Sequence, residues 1–320
     1  MNMNCDLLSI MKPANGTKYL FFGGKGGVGK TSISTATAVW FADQGYKTTI
    51  VSTDPTVSLS AMFGQQISGE RRTPIHHIAN LCGININPAD AKGVFQKRLN
   101  NTLGQMSNTL GNDMVSTPCM EEMATFDQFV SFLDEPDGDV VVFDTAPTGK
   151  TLRELAMPFD WAGYLQRQIQ EGNKLAEFLP NSDDSMIEIE RDKKRYDDAM
   201  AVLCNRATTA FNLVLLPERL PIEETQSAIV GLNRLGISVQ SLIINQRILP
   251  EVIEGNRFLK ARASLQKIYI KEIAARFADI VKAELPLLDH DVSNPESLRT
   301  LGQLLYGDSL SRDGLKQGVT

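Results

Sequence analysis

The sequence predicts an α/β fold, a doubly wound and mostly parallel sheet with an inserted helical subdomain. Three observations predict it. Short apolar runs of strand type alternate with helix-like segments along all 320 residues, as in a chain of βαβ units. The clearest run, Val140-Val141-Val142-Phe143, is continuous instead of alternating, so both of its faces are covered. Several runs end in a polar cluster, and the carboxyl edge of an open parallel sheet is where ligands bind.

In chain order, residues 1–17 read as a flexible tail and 18–320 as one domain. Tyr19-Leu20-Phe21-Phe22 is the first strand, followed by a glycine-rich loop and a helix over about Thr31 to Gln44. Lys47–Ser52 is the next strand; Asp54-Pro55 stops it and leaves Asp54 at its carboxyl end. Residues 88–133 are helical but uneven, because Asn100, Asn101, Gly104, Gly111 and Asn112 lower helix propensity. Val140–Asp144 is a buried strand, and residues 160–205 are polar and helical. The stretches 88–133 and 160–205 form the helical subdomain. Phe211–Leu216 and Ser238–Asn245 are further strands around a helix from Ile222 to Leu235. Residues 255–284 read as one or two helices, and Leu285–Asp289 as a last extended piece.

The loop carries the chemistry. Gly24, Gly29, Lys30 and Thr31 satisfy G-x-x-x-x-G-K-[ST] between a strand and a helix. Glycine lets the backbone of Gly24, Lys25, Gly26, Gly27, Val28 and Gly29 curl around a polyphosphate and aim N–H groups at it. Lys30 reaches the β- and γ-phosphates, and the Thr31 hydroxyl holds Mg²⁺. The helix beginning at Thr31 and Ser32 points its positive end at the same phosphates. Asp144, a carboxylate closing four apolar residues, is placed to hold Mg²⁺ through water. Asp54, at the carboxyl end of its own strand, can join that metal environment, face the γ-phosphate and orient the attacking water.

Composition excludes some classes. A net charge of −6 argues against nucleic acid as the main partner. No apolar run approaches the roughly 20 residues of a membrane helix, and residues 1–17 hold no signal core. The expectation is a cytosolic protein, peripheral to a membrane at most. Cys5, Cys82, Cys119 and Cys204 are scattered, which fits free thiols.

Gly-Lys-Gly-Gly-Val-Gly-Lys-Thr, with Lys25 directly after Gly24, resembles the deviant Walker A group of dimeric nucleotide switches. That resemblance implies a homodimer in which Lys25 crosses to the partner's phosphates. Together with Ser52-Thr53-Asp54-Pro55-Thr56-Val57 and Asp144-Thr145-Ala146-Pro147-Thr148-Gly149-Lys150-Thr151, the chain resembles the family of the arsenical pump-driving ATPase and the tail-anchored-protein targeting ATPase. The likeness runs on through Pro217-Glu218 and Asn245-Gln246 to Leu285-Pro286-Leu287. It implies ATP with Mg²⁺, catalytic roles for Lys25, Lys30 and Asp54, and an adenine held near Asn245 and Pro286. The family's Asp-Pro-Ala-His and Thr-Gly-His-Thr lose their histidines here, to Val57 and Lys150. Asn256 and Leu259 stand where the targeting branch carries a C-x-x-C zinc clasp. Cys119, ahead of Glu121-Glu122 and Phe126-Asp127-Gln128-Phe129, resembles the pump branch's metalloid cysteine. A soft centre such as arsenite or antimonite wants thiolates, with Cys204 as a candidate further ligand. The function implied is an ATPase that couples ATP hydrolysis in a homodimer to metalloid capture and delivery to a membrane efflux pump. The alternative is an ATP-dependent targeting chaperone for tail-anchored proteins, whose groove would use the methionine-bearing 100–130 region.

Overall fold

The computed structural model describes residues 3–53, 59–69, 71–86, 93, 119–134, 137–144 and 183–307. Within them the elements are α1 (Met3–Met11), β1 (Lys18–Gly23), α2 (Lys30–Asp43), β2 (Thr48–Ser52), α3 (Leu59–Phe63), β3 (Thr73–Pro74), β4 (Leu81–Asn85) and α4 (Cys119–Asp134). The chain continues with β5 (Val140–Asp144), α5 (Asp183–Cys204), β6 (Thr209–Leu215), α6 (Arg219–Arg234), β7 (Val239–Arg247), α7 (Arg257–Arg276), β8 (Val281–Pro286) and α8 (Pro295–Tyr306). The strands form one eight-stranded sheet in the order β3-β4-β2-β5-β1-β6-β7-β8. Only the β3–β4 pair is antiparallel. This is the doubly wound α/β fold that the alternation of elements predicts.

Neighbouring side chains of each central strand enter opposite layers. Leu20 and Phe22 of β1 join Val140 and Val142 of β5 beneath α1, α2 and α8. Phe21 and Phe143 face the other layer, built by α4, α5, α6 and α7. There the register sets Phe143, Phe21 and Phe211 side by side on β5, β1 and β6. Phe21 stacks on Phe143 at 4.6 Å and on Phe211 at 4.4 Å between ring centroids. Phe129 of α4 tilts onto Phe143 at 4.6 Å. Ring pairs of this geometry add about 0.5–1.5 kcal/mol each beyond their burial.

Asp127 and Arg195 fasten α4 to α5. Arg195 Nη1 donates to Asp127 Oδ1 at 2.5 Å, and Tyr196 donates its hydroxyl to the same oxygen at 2.8 Å. Arg195 also pairs with Asp134. Both acidic partners hold the guanidinium charged against the cost of its burial.

The other layer braces α2. Gly302 of α8 lies against Trp40 and the Ala36 carbonyl, where a Cβ would sit 3.1–3.2 Å away. The buried Tyr306 hydroxyl is 2.7 Å from Thr37 Oγ1 and 3.1 Å from Met11 Sδ. Trp40 packs on Tyr306 and, edge-on, against Phe41. Asn294 and Ser297 form a capping box that starts α8, with Pro295 in its first turn.

Two sequence expectations change. The flexible tail is a correction: residues Met3–Met11 form α1, with Leu7 and Met11 fully buried against α8 and β8. The short Leu7-Leu8-Ile10-Met11 pattern supplies the apolar face that α1 buries. The region 255–284 is one helix, α7, followed by β8, which starts at Val281 instead of Leu285. Of the helical subdomain, α4 and α5 are described; most of 88–118 and all of 160–182 lie outside the described residues.

Candidate active site

The sheet register brings the start of the glycine loop and Asp144 to one edge. Phe22, just before the loop, pairs with Asp144, the last residue of β5. Ser52 of β2 pairs with Asp144 from the other side, and Thr53 N donates to the Asp144 carbonyl at 3.0 Å. The chain enters Asp54 from that point. Asp54 itself lies outside the described residues, as does Lys150.

The loop glycines divide into two kinds. Gly24 and Gly29 have φ of +147° and +93°. A Cβ on Gly24 would collide with the Val214 carbonyl oxygen of β6, and one on Gly29 with the Asn245 amide. These two glycines let the loop pack onto the sheet. Gly26 and Gly27 have nothing within 4 Å of where a Cβ would stand. Their open side is the cradle, and no side chain caps the first turn of α2, whose N–H groups favour an anion.

Lys30 is 6% exposed and donates across the loop to the Lys25 carbonyl at 3.3 Å. Thr31 Oγ1 donates to Asp144 Oδ2 at 2.8 Å. The hydroxyl and the carboxylate predicted to share Mg²⁺ thus meet, although 113 residues separate them. Oxygen donors beside an anion cradle suit Mg²⁺ held jointly with phosphate, so these residues fit Mg·ATP.

Asn245 closes the loop from β7. Its Nδ2 donates to the Val28 carbonyl at 2.9 Å, and its Oδ1 accepts from Gln246 N at 2.9 Å. Gln246 then turns the chain with φ of +57°. Gln266 of α7 holds this turn, donating to the Gln246 carbonyl and accepting from Ile248 N. Pro286 ends β8 opposite Arg247. Between these strand ends and α7 lies a cavity of about 370 Å³, lined among others by Glu218, Gln246, Phe258, Arg262 and Leu287. Arg262 closes one wall through a 2.5 Å pair with Glu218.

Two features escaped the sequence reading. Glu218–Arg262 joins α6's cap to α7, and Lys25 Nζ pairs with Glu224 Oε1 of α6 at 2.8 Å. Pairing across 199 residues leaves no local signal in the chain.

The cysteines separate. Cys119 begins α4, and its side chain lies outside the described set. Helix α4 ends beside the start of β1, where Tyr19 donates to the Leu133 carbonyl. Cys204 ends α5 at that same amino edge, its thiol donating to the Leu235 carbonyl at 3.5 Å. Sixteen residues of α4 put roughly 20 Å between the start of that helix and this edge. Cys204 is therefore no further metalloid ligand beside Cys119 in one chain, and burial raises its thiol pKa. Burial also raises that of Cys82 on β4.

Among the described residues no helix is long and apolar enough to cross a membrane. The profile of a family described as anion-transporting ATPase matches residues 17–307. A putative arsenical pump-driving ATPase of Halobacterium salinarum is 36% identical over 297 residues, covering 91% of this chain and 44% of that protein. The chain thus spans under half the length of that relative. ATPase ASNA1 homolog 1 of Paramecium tetraurelia is 32% identical, covering 90% of this chain and 92% of that protein. Putative arsenical pump-driving ATPase 2 of Aquifex aeolicus is 31% identical, covering 90% and 99%.

Proposed function

Since this chain belongs to the anion-transporting ATPase family, we propose that it hydrolyses ATP and couples that turnover in a homodimer to metalloid capture. The metalloid, arsenite or antimonite, passes from the dimer to a membrane efflux pump. The observation that carries the nucleotide half is the Thr31–Asp144 contact beside the uncapped start of α2. The names of the Halobacterium and Aquifex relatives support the metalloid half.

In this reading the cradle at Gly26 and Gly27 wraps the phosphates, and Lys30 neutralises the β- and γ-oxygens. Thr31 and Asp144, which meet at 2.8 Å, would hold Mg²⁺ together with Asp54. Bound there, Mg²⁺ would supply Lewis-acid stabilisation of negative charge on the phosphate oxygens. Asp54 orients the attacking water, and Lys25 of each subunit reaches the partner's phosphates. Asn245 and Pro286 flank the adenine, for which the cavity beside Gln246 and Leu287 has room. Two Cys119 thiolates, one from each subunit, meet the metalloid when the dimer closes.

Steady-state hydrolysis with and without arsenite or antimonite, on wild type and Cys119→Ser, tests this. The expected result is stimulation that vanishes in the variant. Rates indifferent to metalloid in both proteins would sink the metalloid half and leave the ATPase standing. The second reading, a targeting chaperone for tail-anchored proteins, rests on the sequence resemblance and the methionines around Met120 and Met123. Capture of a synthetic apolar helix, dependent on ATP, tests it directly.

A further inference from the structure

We infer that Glu224 is a positioning residue that parks Lys25 in cis and must release it before that lysine can reach a phosphate. The inference rests on the proposed phosphate role of Lys25. The geometry points to it in three ways. Lys25 Nζ is turned to α6, where it meets Glu224 Oε1 at 2.8 Å. Its backbone carbonyl meanwhile accepts from Lys30 Nζ, so the loop's two lysines are each tied by a contact that phosphate would compete for. The pair is also weak enough to exchange. Both side chains are about two-fifths exposed, 43% and 42%, and an exposed pair contributes little. A polyphosphate offers several anionic oxygens against one carboxylate, so arrival of nucleotide draws Lys25 away from α6.

The switch is thus a competition between two anions for one ammonium. In the nucleotide-free chain, Glu224 keeps Lys25 turned aside. On nucleotide binding, Lys25 leaves and Glu224 stays on the helix surface in water. Neighbouring Glu223 is engaged elsewhere, with Arg276 of α7 at 2.9 Å, and does not replace Glu224 as the partner.

The test is a double-mutant cycle on the dissociation constant of Mg with a non-hydrolysable ATP analogue, measured on the full chain. The proteins are wild type, Glu224→Gln, Lys25→Gln and the double variant. Glu224→Gln is expected to tighten binding about twofold to fivefold, the size of an exposed ion pair. In the Lys25→Gln background the same change is expected to do nothing, and raised salt is expected to erase the difference. Equal tightening in both backgrounds would overturn the parking role, because a carboxylate that merely repels phosphate acts without Lys25. No tightening, or weaker binding, in Glu224→Gln would overturn it as well. If Lys25→Gln binds as tightly as wild type, the phosphate role of Lys25 fails first, and parking fails with it. Melting temperatures guard against a folding artefact, and Glu224 is a half-exposed helix position where Gln is well tolerated.

Discussion

The phosphate-loop end and the cavity end of the site share one sheet edge but are built differently. At the phosphate end, Gly24 lies against a β6 carbonyl, Gly29 against Asn245, and Lys30 is almost wholly buried. Helix α2 behind it is held by Gly302 and Tyr306 of α8. At the other end, Phe258 is 70% exposed and Leu287 48% exposed. The Glu218–Arg262 pair there stands about two-fifths in water. The difference teaches that rigidity is concentrated where charge must be met at fixed distances. In the proposed reading the adenine, which needs mainly an apolar slot, is left an open one.

Gly24→Ala should break this contrast most severely. The new Cβ meets backbone at a φ of +147°, with no flexible side chain to yield. A loss of about 2–4 kcal/mol of stability is expected in denaturant unfolding, with nucleotide binding abolished. Asp144→Asn keeps the shape and removes the charge. It should lower kcat by about 10²–10³-fold while the melting temperature stays within a few degrees. A rate within tenfold of wild type would dissociate Asp144 from the metal.

Tyr306→Phe probes the brace alone and should cost about 1 kcal/mol by removing the bond to Thr37. It carries a pH signature. Burial raises the Tyr306 pKa above its ordinary value of about 10. Above pH 10 the unfolded chain therefore loses a proton that the folded chain keeps, and stability falls as pH rises. The fall between pH 9 and 11 should be shallower in Tyr306→Phe than in wild type. Arg262→Ala, at the open end, should shift stability by less than about 0.5 kcal/mol. A larger loss would show that this end is as rigid as the other.

Much of this was legible in the chain. Val140–Asp144 declares itself by composition, and the glycine pattern names the loop, because local chemistry decides both. Where tertiary contacts decide, the sequence is mute. Strand β4 hides behind Cys82-Gly83, since Gly83 is there to admit Ile67 and Ile75, whose methyls would crowd a Cβ at 3.1–3.2 Å. Nine residues seldom hold a helix alone, so nothing local announces α1; β8 and α8 hold it. The Thr31–Asp144 meeting follows from the motifs once the strands are paired. The Lys25–Glu224 and Glu218–Arg262 contacts follow from nothing short of the fold, since long charged side chains on distant segments carry no periodicity.

The packing of Trp40 against Phe41 and Tyr306 gives the protein a built-in optical probe. The sequence holds two tryptophans, and Trp161→Phe would leave Trp40 as the only indole. It sits on the helix whose first turn faces the phosphate cradle, in van der Waals reach of a buried phenol. Its emission would then report movement of that helix against α8 during a single turnover, with no dye attached.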